Sequence, residues 1–150
     1  MTLLATTFCL TVLGAPAVQL PSRGAVIARE SQPIHVIAEG KAGARILLDG
    51  SLVPGLKEAA MTELVMLPGA EVPEHSHDQA AELIYILSGR ARMTLDGKET
   101  VVVPGMAIYI PAGVKHSLVL DSKVEPLRAL QVYTPGGPEQ RFKAGPAVKE

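Results

Sequence analysis

From Ala44 onward the chain is written in short apolar runs, each closed by Gly, Pro or Asp. These runs are Arg45-Leu48, Ala60-Leu67, Glu82-Leu87, Ala91-Leu95, Thr100-Val103, Met106-Ile110, His116-Leu120 and Ala129-Tyr133. Their length, their β-branched and aliphatic content and the regular turn residues between them predict strands, and many short strands indicate an all-β sandwich or barrel. A single helical turn near Lys57-Met61 is the one competing pattern. The sharpest local signal is the hairpin around Asp96-Gly97, a dipeptide that supplies the positive φ angles of a two-residue type I′ turn. On its incoming strand Ala91, Met93 and Leu95 alternate with Arg90, Arg92 and Thr94. One face of that strand is therefore buried and the other wet.

Before Ala44 the texture differs. Residues 18–43 are punctuated by Pro21, Gly24, Pro33 and Gly40 and form an N-terminal extension with one candidate edge strand, Ile34-Ala38. Residues 1–17 carry no charge, and Leu3–Gly14 followed by Ala15-Pro16-Ala17 has the form of an export signal with its cleavage site. No Lys or Arg precedes the apolar run, so a mis-assigned start or an apolar N-terminal strand stays open, with the signal favoured. A cleaved signal favours a periplasmic or secreted protein over a cytoplasmic one. Pro16 and Pro21 interrupt a run that barely reaches spanning length, so stable membrane insertion is not expected once a leader is removed. Residues 44–135 form the expected barrel, and 136–150, opening on Gly136-Gly137-Pro138, an irregular tail.

Composition narrows the class. The 150 residues suffice for one domain, and with no Trp, two Phe and three Tyr the core must be aliphatic. A net charge of −1 without Lys/Arg clusters gives no footprint for nucleic acid. The lone Cys9 rules out an internal disulfide and a cysteine-based zinc finger.

The chemistry lies in two blocks. In the first, Gly69 is followed after five residues by His75-Ser76-His77, then after four by Glu82 and after six by Gly89. In the second, Gly105 is followed after five residues by Pro111-Ala112-Gly113 and after two more by His116. Residues i and i+2 on a strand share a face, so His75 and His77 can point into one barrel. After a short turn Glu82 opens the returning strand and comes back beside them. Imidazole nitrogens and a carboxylate oxygen at one point suit a divalent transition metal, and four protein ligands leave positions open for substrate. His35 lies outside both blocks and is expected to be an ordinary histidine. Tyr109 is a candidate inward-facing acid or hydrogen-bond donor, with core filling as the alternative. Gln131 and Arg128 sit near the last strand with their faces unassigned.

These two blocks resemble the paired motifs of the cupin superfamily, and every motif position is filled. The resemblance covers about Ala60 to Tyr133 and implies a double-stranded β-helix, or jelly-roll, with a single metal centre of His75, His77, Glu82 and His116. The family's second block often ends in Asn; here that place is Leu120, which makes the wall shared with His116 and Leu118 apolar. The resemblance implies a small-molecule enzyme of dioxygenase type with Fe(II) favoured and Zn, Mn, Ni or Cu as alternatives. A metal-dependent isomerase, lyase or decarboxylase, or a non-catalytic small-ligand-binding protein, are the other readings. Uncovered jelly-roll edges also lead us to expect a homodimer.

Overall fold

The computed structural model describes residues 24–149, so the signal-like stretch 1–17 and Cys9 lie outside the described residues. Among the described residues, eleven strands run β1 (Ile34–Ile37), β2 (Ala42–Leu48), β3 (Ala60–Met66), β4 (Glu71–His75), β5 (Ala81–Ser88), β6 (Ala91–Leu95), β7 (Lys98–Val102), β8 (Ala107–Ile110), β9 (His116–Leu120), β10 (Leu127–Thr134) and β11 (Ala147–Val148). They form a seven-stranded sheet in the order β11-β1-β2-β3-β10-β5-β8 and a four-stranded sheet in the order β4-β9-β6-β7. The described strand pairs are antiparallel. This is the expected all-β jelly-roll. No helix among the described residues is long and apolar enough to cross a membrane.

Period-two alternation builds the core. On β5, Glu82, Ile84 and Ile86 are buried while Leu83, Tyr85 and Leu87 face out. On β10 the inward set is Leu127, Ala129, Gln131 and Tyr133. Met93 and Leu118 from the smaller sheet meet Leu64, Ile84 and Ala129 from the larger one in a single apolar cluster. The aliphatic composition is thus spent between the two sheets, where burial contributes most.

Two turns fix the register. Leu95 pairs with Lys98 across Asp96-Gly97, whose φ angles of 50° and 72° are those of the expected type I′ turn. Gly89 ends β5 at φ 83°, and a Cβ there would lie 2.6 Å from both Leu127 Cα and Pro126 O. That position excludes a side chain on conformation and on space.

The C-terminal segment departs from the irregular strap expected of it. A 3₁₀ helix, Pro138–Ala144, follows Gly137, and β11 then pairs with β1. The physical reason is the free edge of β1, whose Val36 N–H donates to Pro146 O at 2.9 Å. Phe142 from the helix packs with Ala44 and Tyr133 inside the larger sheet. Lys57–Ala59 are not helical, and Ala60 and Met61 begin β3.

Candidate metal centre

The first block reaches the site through β4. Its last residue, His75, pairs with His116, the first residue of β9. His77 follows in the connecting segment, where its carbonyl accepts from Gly113 N–H at 2.9 Å. The Pro111-Ala112-Gly113 turn of the second block therefore pins the loop of the first. Glu82 enters from the other sheet, one residue into β5.

The four side chains converge. One ligand atom from each of His75, His77, Glu82 and His116 lies within 4.8 Å of the others, and this group could hold a metal ion. Ring centroids are 4.1 Å apart for His75 and His116, 5.0 Å for His75 and His77, and 5.3 Å for His77 and His116. Glu82 is 1% exposed, and its Oε2 lies 3.2 Å from both His77 Nε2 and His116 Nε2.

The hydrogen bonds on the far side of each ring set what it presents. His75 Nδ1 faces Pro73 O at 2.9 Å and His116 Nδ1 faces Val114 O at 3.0 Å. Since a carbonyl only accepts, both Nδ1 atoms carry the proton and both Nε2 atoms are free to act as acceptors in the neutral rings. Both Nε2 atoms are buried; His75 Nε2 has no hydrogen-bond partner among the described residues, and His116 Nε2 faces only the Glu82 carboxylate. A buried polar atom without a partner is costly, and a cation at the point where these nitrogens aim would relieve that cost. The donor set, three imidazoles and a carboxylate, fits a divalent transition metal.

Outside this first ring, Gln131 Nε2 donates to Glu82 Oε1 at 2.8 Å, and Thr62 Oγ1 donates to Gln131 Oε1 at 3.0 Å. Tyr133, 0% exposed, sets its ring edge-on to His77 at 5.3 Å. Electrostatics follow the packing. Burial alone would raise Glu82, but the His116 and His77 imidazoles hold it down to about 2. His75 is pushed down by burial and by neighbouring positive charge from His116, Arg141 and His77. For His116 burial acts downward too, yet the Glu82 carboxylate and the Val114 carbonyl outweigh it and raise the value. Tyr133 is pushed well above the ordinary phenol range by burial and by the Glu82 charge, so its proton stays on.

Of the residues singled out in the sequence, His75, His77, Glu82 and His116 meet at one place. Tyr109 does not join them and is corrected: it is 61% exposed, paired with outward-facing Leu83 on β5. The inward residues of β8 are Ile108 and Ile110, opposite Ile84 and Glu82. His35 sits apart, its Nδ1 3.4 Å from Gly145 O. Arg128 pairs with Glu63 rather than with the site. Gln131, whose face was open, is the direct partner of Glu82. Thr62, Tyr133 and Arg141 went unnoticed; an amide and a phenol at inward positions of an otherwise apolar strand were a usable signal for β10, whereas nothing in the sequence marks Arg141.

Beside the centre opens a cavity of about 690 Å³. Its walls include Leu64, Ile84, Met93 and Leu118, and His75, Glu82, His116 and Gln131 supply polar groups. It is a pocket of small-molecule size with few convergent polar groups.

Comparison with known proteins agrees with this geometry. The cupin domain profile matches residues 62–133. An uncharacterised protein of Streptomyces coelicolor is 33% identical over 88 residues, which is 58% of this chain and 82% of that protein. Quercetin 2,3-dioxygenase of Bacillus subtilis is 33% identical over 75 residues, 50% of this chain and 22% of the enzyme. Among solved structures, the polyketide cyclase RemF of Streptomyces resistomycificus superposes with a TM-score of 0.65 at 25% identity, covering 85% of each chain. The match spans 58% of the length of the first curated relative and 13% and 22% of the next two. With its two motif blocks meeting inside a jelly-roll, and with both the domain profile and these relatives in agreement, the chain belongs to the cupin family.

Proposed function

We propose that His75, His77, Glu82 and His116 hold one divalent transition metal, Fe(II) in preference to Zn, Mn, Ni or Cu, in a small-molecule enzyme of dioxygenase type. The observation that carries this reading is the convergence of one ligand atom from each of these four residues within 4.8 Å, with the buried His75 Nε2 lacking a hydrogen-bond partner among the described residues. When bound, such an ion supplies Lewis acidity and, as reduced iron, oxygen chemistry.

The chain's own part is to orient and to keep dry. Gln131 holds Glu82 Oε1, leaving Oε2 toward the histidines. The apolar wall excludes water and would take the body of a substrate. Proton abstraction by the protein is poorly served: the other carboxylates lining the cavity, Glu39, Glu71 and Glu74, are exposed at its rim. A general base needs hydrogen-bond reach of the reacting proton. The likeness to quercetin 2,3-dioxygenase supports the same reading.

The likeness to oxalate decarboxylase, 26% identical with a TM-score of 0.56 over 65% of this chain and 27% of that one, favours a second reading, a metal-dependent isomerase, lyase or decarboxylase without oxygen. One experiment separates them. The protein is purified without chelators, its metal measured, and the Fe(II) form screened in an oxygen electrode against small phenols, diketones and thiols, with product analysis in air and under argon. Stoichiometric metal with substrate-dependent oxygen uptake is the expected result. Turnover that persists under argon supports the second reading; metal without any turnover makes the protein a small-ligand binder; no metal above trace overturns the centre.

A further inference from the structure

We propose that Arg141 makes this cavity a receptor for organic acids, molecules with an apolar body whose carboxylate is held between the guanidinium and the metal centre. The inference deepens, and rests on, the metal-centre reading above.

Arg141 comes from the C-terminal 3₁₀ helix, outside the strands that carry the ligand set. It nonetheless reaches the site: Nη1 lies 3.4 Å from His77 Nε2, and Nη2 donates to the Tyr133 hydroxyl at 3.4 Å. Its guanidinium carbon stands 4.8 Å from the centre of the Phe142 ring and 5.8 Å from that of Tyr133. Two aromatic faces thus hold a planar cation at the edge of the cavity it lines. Arg141 forms no ion pair among the described residues, whereas Arg29, Arg45, Arg90, Arg92 and Arg128 each have a carboxylate within 4.0 Å.

That placement raises a charge problem. A guanidinium beside an imidazole is tolerable when the imidazole is neutral, but a divalent ion at the same imidazole would repel it. Glu82 is the one buried carboxylate on the cavity wall, and it cannot balance both cations. The remaining charges on the wall, Glu39, Lys41, Glu71 and Glu74, are exposed, and Glu74 is 3.5 Å from Lys115. An anion entering the cavity would neutralise the excess and separate the two cations. Guanidinium offers a carboxylate two parallel N–H donors, which a point charge does not. The hydrophobic lining of Leu64, Ile84, Met93, Leu118 and Phe142 selects for an apolar body behind the acid. Inorganic anions would gain the charge but leave that surface wet.

The test uses the Zn(II)-loaded protein and calorimetric titration at pH 7 with benzoate, phenylacetate and octanoate, and with benzyl alcohol and octanol as neutral counterparts. The acids are expected to bind. Arg141→Gln should weaken them by about tenfold to a hundredfold, the range of a charge-assisted hydrogen bond. The neutral probes should be unaffected, and Arg141→Lys should recover part of the loss by restoring the charge without the fork. Acid affinity unchanged in Arg141→Gln, an equal loss for acids and alcohols, or no acid binding by the wild type overturns the proposal. Elemental analysis of each sample keeps the two readings apart. If the protein takes up neither zinc nor Fe(II), Mn, Ni or Cu, the metal reading fails by itself, and the difference between wild type and Arg141→Gln in the metal-free protein still decides the role of the guanidinium.

Discussion

Gln131 donates its amide N–H to Glu82 Oε1 at 2.8 Å, across two neighbouring strands of the same sheet. The bond does two things at once. It satisfies an oxygen of a buried carboxylate, and it commits that oxygen, so that only Oε2 is presented to the histidines. Thr62 in turn fixes the amide, because its hydroxyl donates to the Gln131 carbonyl oxygen at 3.0 Å and leaves the NH₂ for Glu82. A three-residue chain over β3, β10 and β5 therefore orients the Glu82 carboxylate of the candidate centre.

Replacing Gln131 with Met keeps the volume and removes the donor. Partners of this kind are worth about 10- to 100-fold in metal affinity, and a loss in that range is expected by chelator competition. Thr62→Val should act more weakly, about 1 kcal/mol in stability, because it removes one buried hydrogen bond and leaves the amide free to turn. Equal metal affinity in Gln131→Met and wild type would show that Glu82 is held by its neighbours on β5 alone.

His75→Ala combined with His77→Ala is expected to abolish stoichiometric metal. Metal bound only by the native state adds RT ln(1 + [L]/Kd), about 2.7 kcal/mol at a hundredfold excess over Kd. The wild type should therefore melt higher with metal than without, and the double variant should melt at the same temperature in both. His35→Ala should bind metal like the wild type, since His35 lies apart from the centre with Nδ1 at Gly145 O. Metal retained by the double variant would remove the site.

The four-residue cluster was legible because motif spacing is a local property. His75 closes β4, His77 follows two residues on in the connecting segment rather than on the strand as expected, and Glu82 is one short turn away. The Asp96-Gly97 hairpin was legible for the same reason: its positive φ angles are written in the dipeptide. What spacing does not encode is which residue stands opposite. Gln131 is 49 residues from Glu82 in the chain, and only the β10–β5 register brings them together. Arg141 is harder still, since its place depends on Phe142 packing with Ala44 and Tyr133. The inward guess for Tyr109 failed on parity: Ile110, just before Pro111, takes the inward position, and its neighbour must then face out.

That correction has a direct check. Tyr109→Ser is expected to leave metal stoichiometry unchanged and to shift stability by no more than about 0.5 kcal/mol, as exposed substitutions do. A variant that lost metal would place the hydroxyl back in the site.

Gly89→Ala should be severe. The native φ of 83° disfavours any L side chain, and a Cβ would meet Leu127 Cα and Pro126 O at 2.6 Å. Both are backbone atoms, so relief would require shifting β10 and with it Gln131. Left-handed strain alone costs about 1–2 kcal/mol, and the clash adds to it; a loss of soluble expression or of more than about 3 kcal/mol is expected. Gly97→Ala meets no atom within 4 Å at φ 72°, so it should cost only the conformational part, about 1–2 kcal/mol.

Asp49 gives the fold a pH dependence separate from the candidate metal centre. It is fully buried after β2 and ties the β2–β3 connection to the C-terminal helix. Its Oδ1 accepts from Ser51 N–H, Ser51 Oγ and Leu52 N–H, and its Oδ2 from Gln140 Nε2 at 2.9 Å and Lys143 Nζ at 2.8 Å. Burial favours the protonated acid, yet Lys143, Ser51, Gln140 and Leu52 together hold the carboxyl well below the ordinary range. A folded value below the unfolded one means that the stabilisation is complete above the unfolded value, about 3.9. It is lost as pH falls from there toward the folded value. Asp49→Ala removes the acceptor for all five donors and should cost about 2–4 kcal/mol near neutral pH. Urea unfolding of the metal-free protein should show the gap between wild type and variant narrowing steadily as pH is lowered below about 4. A gap that stays constant down to the acid limit would mean that Asp49 stabilises the fold by packing rather than by its charge.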